Sequence, residues 1–262
     1  MKDVRAKKHL GQHFLIDDSV TERIAHAFKE VFPKGDILEV GPGMGVLTEY
    51  FLDDENYNLT VSEIDTESII YLKKELNLSD SQIIEGDFLK KDLEAVLPLG
   101  TGLIGNFPYN ISSQIFFKVL DNVNFFPVTV CMLQKEVSER LCSPPGSKKY
   151  GILSVLLQAY FKMEYLFTVP PEAFNPPPKV ESGVIRVIRN NVEKIDCDEK
   201  LFKQVIKMGF NSRRKTLRNA LKSLVLPIEL TSTCDFFNRR AEQLSVAEFI
   251  ELTNLVDNAV RD

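Results

Sequence analysis

The chain has 262 residues, of which 44% are hydrophobic and 26% are charged, proportions that are ordinary for a soluble globular protein. This length fits one large domain, or one medium domain with a small appendage. No apolar run approaches the roughly 20 residues that cross a bilayer, and the basic N-terminus, residues 1–8, lacks the apolar core of a signal peptide. These features argue against a membrane protein and favour a cytoplasmic one.

The cysteines and histidines form no metal-binding pattern in the sequence. Cys131, Cys142, Cys197 and Cys234 lie far apart, without the paired spacing of a zinc site. Isolated cysteines in a cytosolic protein are typical of buried, reduced thiols. All three histidines precede residue 27. We therefore expect no metal site.

Strand and helix patterns alternate between residues 36 and about 190. The predicted strands are 36–40, 59–64, 82–85, 102–105, 128–133, 160–169 and 182–188, and the predicted helices among them are 44–52, 66–76 and 111–120. Thr66 or Asp65 would cap the second helix. The loop 170–178 contains too much proline for a helix or a central strand. Such alternation indicates an α/β fold with a mostly parallel sheet between helices.

The composition changes at residues 190–198, which are polar and charged and predict a linker. Beyond them, residues 200–226 and 244–260 show helical spacing without strands. We therefore predict a domain of residues 1–192, consisting of an N-terminal arm and the α/β sheet, and a small all-helical domain of residues 193–262.

A glycine-rich turn lies between the first predicted strand and the first predicted helix. Gly41, Gly43 and Gly45 would let the backbone turn sharply and approach a ligand closely. Their spacing differs from the G-x-G-x-x-G of dinucleotide binders, and no basic residue lies in or beside the turn. The same pattern also occurs in purely structural turns, so the turn alone does not identify a site.

Acidic and amide side chains follow the next three strands. Glu63 ends the second strand, where a carboxylate can accept both ribose hydroxyls of a cofactor. Asp87 follows the third strand and could receive a cofactor's adenine amine, cap a helix, or do both. Asn106 follows the fourth strand. Ligands of open α/β sheets bind at this edge, so a nucleoside cofactor without a phosphate fits, and S-adenosylmethionine is the natural candidate.

The four residues Asn106, Phe107, Pro108 and Tyr109 predict a clamp for a flat ring that carries an amino group. The Asn106 side-chain oxygen and the Phe107 carbonyl, held by Pro108, would accept the two hydrogens of one amine, and Tyr109 would stack on the ring. These acceptors would free the nitrogen lone pair and stabilise the positive charge that develops on it. The motif therefore predicts methylation of an adenine amine, without a His or Lys base beside it.

Basic residues cluster in the C-terminal part, although the net charge of −5 argues weakly against nucleic-acid binding. No Asp or Glu interrupts eight bases between residues 200 and 222. A solvated helix face is the alternative interpretation. We predict a basic helix that binds RNA phosphates, with Lys7 and Lys8 adding contacts; the proposed RNA-binding residues of the helix are Arg213, Arg214, Lys215, Arg218 and Lys222.

The chain resembles the ribosomal RNA adenine dimethyltransferases of the small subunit, the KsgA type of bacteria. The resemblance runs nearly end to end and rests on segments 8–15, 38–43, 63–65, 86–88, 106–112, 174–180, 213–219 and 243–245. It implies a Rossmann-like class I S-adenosylmethionine-dependent methyltransferase sheet with a small C-terminal helical domain. It also implies two methyl transfers to each of two adjacent adenosines near the 3′ end of the small-subunit RNA.

The resemblance also implies the cofactor contacts, which would involve His13, Leu15, Gly41, Gly43, Glu63, Asp87 and Asn106. The family usually has Asn where this chain has His13, which can still donate or accept one hydrogen bond. We expect Phe174, exposed on the proline-rich loop, to stack on the second face of the base; the alternative is a hydrophobic plug under that loop. The base must leave any stack to reach such a pocket.

Three other functions share parts of this pattern. A large-subunit RNA adenine methyltransferase of the macrolide-resistance type has similar core motifs, but residues 174–178 and the C-terminal arginines favour the small-subunit family. DNA adenine methyltransferases typically have proline where this chain has Phe107. A non-enzymatic ribosome-assembly factor would not need intact Gly41, Glu63, Asp87 and Asn106. Naked RNA and a 30S pre-subunit both remain open as substrates, and we expect a monomer because no apolar heptads are present.

Overall fold

The computed structural model describes residues 4–261. Residues 1–3 of the predicted arm and residue 262 lie outside the described part. The chain forms two compact units: one runs up to Ser138 and includes residues 162–189, and the other comprises residues 139–161 and the chain from Asn190 onward. The predicted boundary at residue 192 is close to the last crossing between the units. Residues 139–161, which the sequence analysis placed with the sheet, belong to the second unit.

The first unit contains nine strands in two sheets. They are β1 (Phe14–Leu15), β2 (Gly35–Val40), β3 (Tyr57–Glu63), β4 (Ile83–Glu85), β5 (Gly102–Asn106), β6 (Val128–Gln134), β7 (Phe161–Val169), β8 (Phe174–Asn175) and β9 (Ser182–Arg189). Seven of them form a sheet in the order β4-β3-β2-β5-β6-β9-β7, while β1 and β8 pair separately. Strands β2 to β6 run parallel, and β9 is antiparallel to β6.

Burial on both faces explains why the central strands read as continuous apolar runs. Ile37, Leu38, Leu103 and Ile104 are fully buried. All seven predicted strands are present within two residues of their predicted ends. The sequence pattern missed β1 and β8, because two-residue strands carry no detectable periodicity.

Five helices accompany the sheet, and a sixth continues from β6. They are α1 (Asp18–Lys29), α2 (Glu49–Leu52), α3 (Thr66–Glu75), α4 (Leu93–Val96), α5 (Ser112–Asp121) and α6 (Lys135–Cys142). Asp65 caps α3 through Glu67 N, as predicted. The predicted helix 44–52 is wrong in its first half, because Gly45 N donates to Pro42 O at 2.8 Å in a turn and helix begins only at Glu49.

The second unit is helical. Its helices are α7 (Ile152–Gln158), α8 (Glu199–Asn211), α9 (Leu217–Ala220), α10 (Ile228–Thr233) and α11 (Val246–Arg261). Helix α7 packs against α8 and α11, which explains why residues 139–161 belong to this unit. Phe210 of α8 and Phe249 of α11 stack with ring centroids 6.1 Å apart.

Residues 200–226, which show helical spacing in the sequence, form separate helices, and the predicted basic helix around residues 213–218 is wrong in its first half. Helix α8 ends at Asn211, and residues 212–216 form a turn in which Lys215 N donates to Ser212 O at 2.7 Å. The chain resumes as α9, whose first amide, Leu217 N, donates to Arg239 O at 2.8 Å. Arg213, Arg214 and Lys215 therefore lie on a turn, not on a helix.

Three further features concern residues 4–261 only. No helix in this range is long and apolar enough to cross a membrane. No group of three or more His, Cys, Asp or Glu side chains there is arranged to hold a metal ion. The four cysteines are free thiols, but only Cys131 is buried, so the expectation of four buried thiols is wrong for the half-buried Cys142, Cys197 and Cys234.

Candidate active site

Two clefts lie along the edge where β2, β3, β4 and β5 end. One cleft, with about 800 Å³ of empty volume, is lined by His13, Leu15, Gly43, Glu63 and Asn106 among others. The other, with about 690 Å³, is lined by Gly41, Glu63 and Asp87 among others. Because parallel neighbouring strands end at one edge, the structure brings together all the side chains that the sequence predicts for the cofactor.

The glycine-rich turn passes close to both the N-terminal arm and the motif that begins at Asn106. Gly43 has φ of 59°, and a Cβ atom there would lie 2.8 Å from the Phe14 ring. Gly41 has φ of 71°, and its added Cβ would lie 3.5 Å from Pro108. Larger residues would be strained at both positions. The turn thus lets the backbone form one wall of the larger cleft.

Glu63 is held in one orientation by the backbone. Its carboxylate accepts hydrogen bonds from Gly43 N at 3.2 Å, Ile64 N at 2.8 Å and Asp65 N at 2.9 Å. Burial raises the pKa of Glu63, and these three bonds partly offset the rise. A carboxylate has about four acceptor sites, so the side chain retains acceptor capacity toward the clefts that it lines.

A second buried acid lies beside Glu63 and was not recognised in the sequence. Glu39 of β2 is 2% exposed, lines the larger cleft and accepts a hydrogen bond from Thr48 Oγ1 at 2.6 Å. Burial raises the pKa of Glu39 to about 7; the Thr48 bond opposes this rise and the charge of Glu63 adds to it. An acid inside the apolar run 37–40 was the signal that could have revealed it.

Asp87 caps the turn that follows β4. Its Oδ1 accepts a hydrogen bond from Leu89 N at 3.0 Å, and its Oδ2 lies 3.6 Å from Lys90 Nζ. The side chain is half-buried and lines the second cleft. The capping role is confirmed, and contact with a cofactor amine stays a prediction.

Asn106 is oriented by the N-terminal arm. Its Nδ2 donates to the His13 carbonyl oxygen at 3.0 Å, which leaves Oδ1 on the other side of the amide. Phe107 N donates to Met132 O at 3.1 Å, while its ring is fully buried. Among residues 4–261, no hydrogen bond is made to Asn106 Oδ1 or to the Phe107 carbonyl. Neither acceptor proposed for the substrate amine therefore has a hydrogen-bond partner among these residues, although Phe107 as a whole residue is fully buried.

Tyr109 and His13 lie together, although no histidine was expected beside the motif. Their ring centroids are 5.5 Å apart at an interplanar angle of 30°. His13 Nδ1 lies 2.8 Å from the Pro176 carbonyl, which only accepts, so Nδ1 is the donor in this contact. Tyr109 Oη and Ser182 Oγ are hydrogen-bonded at 2.5 Å. Burial raises the pKa of Tyr109, so its hydroxyl stays neutral.

The prediction that Phe174 is exposed is wrong. Its side chain is 2% exposed and belongs to the core, because β8 pairs with β1 in the register Leu15 to Phe174. Ile16 N also donates to Ala173 O at 2.8 Å. In this structure Phe174 therefore presents no face on which a base could stack.

A third cleft opens on the other side of His13 and Tyr109. It has about 1090 Å³ of empty volume, and its lining includes Lys8, His13, Tyr109, Gln134 and Lys179. His13 thus lies between this cleft and the larger cofactor cleft. An aromatic wall and two exposed lysines suit a nucleotide.

The N-terminal arm is attached beside Glu63 by Lys7, which the sequence analysis had assigned to RNA. Lys7 Nζ forms an ion pair with the buried carboxylate of Asp65, and Gln12 Nε2 lies 3.4 Å from the same group. Burial alone would raise the pKa of Asp65, but the hydrogen bonds from Lys7 and Gln12 hold it below its ordinary value. The ion pair makes Lys7 a structural residue here.

The predicted RNA-binding residues of the second unit fall into two groups. Arg213 donates to the carbonyls of Lys148 and Tyr150, and Arg218 donates to Thr231 O at 2.6 Å and Asn238 Oδ1 at 3.1 Å. These two arginines hold the fold of the unit. Arg214, Lys215 and Lys222 are exposed and form neither an ion pair nor a side-chain hydrogen bond within the described range 4–261.

The sheet order, the glycine-rich turn and the acid at the end of β3 define the class I S-adenosylmethionine-dependent methyltransferases. Two solved structures are similar over nearly their whole length. A dimethyladenosine transferase from Plasmodium falciparum has a TM-score of 0.80 and 23% sequence identity, and the match covers 94% of this chain and 98% of that chain. The 23S rRNA methyltransferase ErmE has a TM-score of 0.68 and 22% sequence identity, and the match covers 93% of this chain and 99% of that chain. At these identities they establish the fold alone.

Sequence relatives identify the family within this class. Residues 4–258 match the family model described as ribosomal RNA adenine dimethylase, and the chain belongs to this family. It is 53% identical to ribosomal RNA small subunit methyltransferase A of Cytophaga hutchinsonii, over 98% of this chain and 99% of the relative. It is 51% identical to the protein of the same name from Porphyromonas gingivalis, over 98% of this chain and 99% of that relative.

Proposed function

We propose that this protein transfers methyl groups from S-adenosylmethionine to the N6 amines of two adjacent adenosines near the 3′ end of small-subunit ribosomal RNA, twice at each. The observation that carries this proposal is a pair of acceptors beside Tyr109, Asn106 Oδ1 and the Phe107 carbonyl, that accept no hydrogen bond within the described residues. Family membership and relatives named for the small subunit support it over the large-subunit alternative. The intact acidic and amide side chains of the clefts support an enzyme over a relic binding protein.

The residues of the two sheet-edge clefts fit S-adenosylmethionine. Glu63 keeps acceptor capacity for ribose hydroxyls, and Asp87 offers carboxylate oxygens for the adenine amine. The Gly43 backbone lines the same cleft and packs so closely on the Phe14 ring that only glycine fits there. His13 and Leu15 line the same cleft as Asn106, in agreement with contact to the methionine part. When bound, the cofactor supplies an electrophilic sulfonium methyl group.

The protein's contribution to the chemistry is placement and electrostatics. Asn106 Oδ1 and the Phe107 carbonyl accept the two N6 hydrogens, which draws the nitrogen toward tetrahedral geometry and directs its lone pair at the methyl group. The same oxygens stabilise the positive charge that develops on the nitrogen. Tyr109 would stack on the base and limit its motion, which lowers the entropic cost of bringing the amine to the bound cofactor.

No strong base is needed after the transfer, because the methylated ammonium is acidic enough to lose its proton to water. His13 lines both the cofactor cleft and the third cleft, and its Nδ1 is engaged by the Pro176 carbonyl. The motif therefore works with acceptors alone, and its geometry rather than an ionisable group sets the rate.

Arg214, Lys215 and Lys222 are the residues of the second unit that we assign to RNA phosphates, since Arg213 and Arg218 are engaged within the fold. Lys8 and Lys179 would contact phosphates beside the third cleft. We propose a 30S pre-subunit as the partner, a cytoplasmic location and a monomeric enzyme.

A methyl-transfer assay tests this function. Small subunits from a strain that lacks the modification are incubated with the protein and labelled S-adenosylmethionine, and the RNA is then digested to nucleosides. We expect N6,N6-dimethyladenosine, with four methyl groups per subunit at saturation. Unmodified large subunits are the control and should gain no label. Binding of the subunit without label in its RNA would overturn the proposal of an enzyme.

A further inference from the structure

Gln134 ends β6 directly beside the proposed substrate motif. Asn106 is the register partner of Met132 on the parallel neighbour β6. Register partners in parallel strands point to the same face, as do residues two apart on one strand. The side chains of Asn106 and Gln134 therefore emerge on one face of the sheet, with Gln134 roughly 7 Å further toward the ligand edge.

The Gln134 amide has unused hydrogen-bonding capacity. The residue is half-buried and lines the third cleft together with Tyr109 and His13. Within residues 4–261 its side chain makes no hydrogen bond, although a primary amide offers two donors and one acceptor oxygen. A ligand group in the cleft can therefore bond to this amide without breaking a hydrogen bond within the protein.

Ser182 fixes Gln134 relative to Tyr109. It is the register partner of Gln134 on β9, and its Oγ is hydrogen-bonded to Tyr109 Oη. Ser182 is fully buried, so this link does not compete with solvent. The stacking surface and the backbone of Gln134 are thus held on one rigid frame.

We propose that Gln134 is a specificity-determining residue, whose side-chain amide donates a hydrogen bond to a ring nitrogen, N1 or N7, of the target adenine. This inference rests on the proposed function. Asn and Gln side chains pair well with adenine, which presents an acceptor nitrogen next to its amine. Guanine would instead direct its O6 at the acceptors Asn106 Oδ1 and Phe107 O, which repel it.

The second methyl transfer gives this contact its particular role. The first transfer replaces one N6 hydrogen with a methyl group, so afterwards only one hydrogen remains for Asn106 and Phe107. A bond from Gln134 to a ring nitrogen is unchanged by that replacement. Gln134 therefore holds the monomethylated base in register when the N6 contacts have weakened, and its loss should impair the second transfer more than the first.

The test compares Gln134→Leu, which cannot hydrogen-bond, with Gln134→Glu, which as a carboxylate can only accept. Gln204→Leu, the same change at an exposed position of α8, is the matched control. Using unmodified small subunits, we expect both Gln134 variants to lose about tenfold in kcat/KM and to accumulate N6-methyladenosine. Cofactor affinity and the Gln204→Leu variant should stay at wild-type values.

Substrate analogues distinguish the two ring nitrogens. Small subunits are reconstituted with 1-deazaadenosine or 7-deazaadenosine at the target positions. The wild-type protein should methylate only one of these two substrates more slowly than normal subunits. Gln134→Leu should methylate that substrate at the same rate as it methylates normal subunits. A wild-type ratio of monomethyl to dimethyl product in Gln134→Leu would overturn the inference, as would equal analogue losses in both proteins. If the wild-type protein itself methylated no RNA, the proposed function would fail and this inference with it.

Discussion

The side-chain amide nitrogen of Asn106 lies 3.0 Å from the carbonyl oxygen of His13. This bond turns the amide so that its oxygen, rather than its nitrogen, is available to a ligand. The N-terminal arm therefore orients the side chain that we propose to hold the substrate amine, and the arm is itself attached through the ion pair of Lys7 with Asp65.

Tyr109 and Phe174 should respond differently to truncation. Tyr109→Ala removes a stacking surface, and we expect kcat/KM for the RNA to fall tenfold or more, since base stacking contributes about 1–3 kcal/mol. Phe174→Leu should lower the free energy of unfolding by about 1 kcal/mol and leave kcat/KM of the folded protein unchanged. Steady-state kinetics and urea unfolding measure the two effects. A catalytic loss in Phe174→Leu equal to that of Tyr109→Ala would restore the stacking role to Phe174.

The three exposed bases of the second unit should govern the salt dependence of RNA binding. Replacing Arg214, Lys215 and Lys222 with Ala removes up to three phosphate contacts, so the slope of log K against log salt should become shallower by about 2. Thermal stability should not change. An unchanged slope would assign RNA binding to other residues.

Arg213→Ala is the matched control for those changes. It leaves the carbonyls of Lys148 and Tyr150 without their donor, so we expect a loss of about 1–3 kcal/mol in the free energy of unfolding. The salt dependence of RNA binding by the folded protein should hardly move.

Glu39 should make the protein less stable as the pH rises. Burial raises its pKa from 4.5 to about 7, so the folded protein retains a proton that the unfolded chain has released between these values. The contribution of Glu39 to stability is therefore greatest below pH 4.5 and is lost as the pH rises through about 7. Between pH 5 and 8, deprotonation of Glu39 lowers the free energy of unfolding by at most about 3 kcal/mol. Glu39→Gln should flatten this trend in urea unfolding, and an unchanged trend would contradict the assignment.

Glu63 should contribute to cofactor affinity through its charge. Glu63→Gln places an amide donor among the backbone donors Gly43, Ile64 and Asp65, and it weakens the acceptor that faces the ribose. We expect the Kd for S-adenosylmethionine to rise about 10- to 100-fold in calorimetric titrations. Wild-type affinity in this variant would place the ribose elsewhere.

Much of the sheet was predictable because local patterns determine it. The central strands are buried on both faces and read as apolar runs, and Asp65 caps α3 as its sequence position indicates. From the strand ends it then followed that Glu63, Asp87 and Asn106 would lie at one edge of the sheet. Helix 44–52 failed because the φ angle of Gly45, 81°, belongs to a turn.

The rest depended on contacts between residues distant in the sequence. Phe174 lies in a loop whose prolines suggested exposure, but pairing with Leu15 buries it. His13 reaches Tyr109 only because the arm folds back on the motif. The sequence could not show which basic residues are structural and which are available to RNA, because it does not reveal that Arg213 donates to two backbone carbonyls.

The methyl-transfer rate of Asn106→Ala tests the central claim most directly, with cofactor and subunit binding measured on the same protein. Loss of one preorganised electrostatic contact to the developing charge costs about 100-fold or more in rate. We expect S-adenosylmethionine and unmodified small subunits still to bind, while formation of N6-methyladenosine and N6,N6-dimethyladenosine falls by at least that factor. A rate close to wild type would contradict the account.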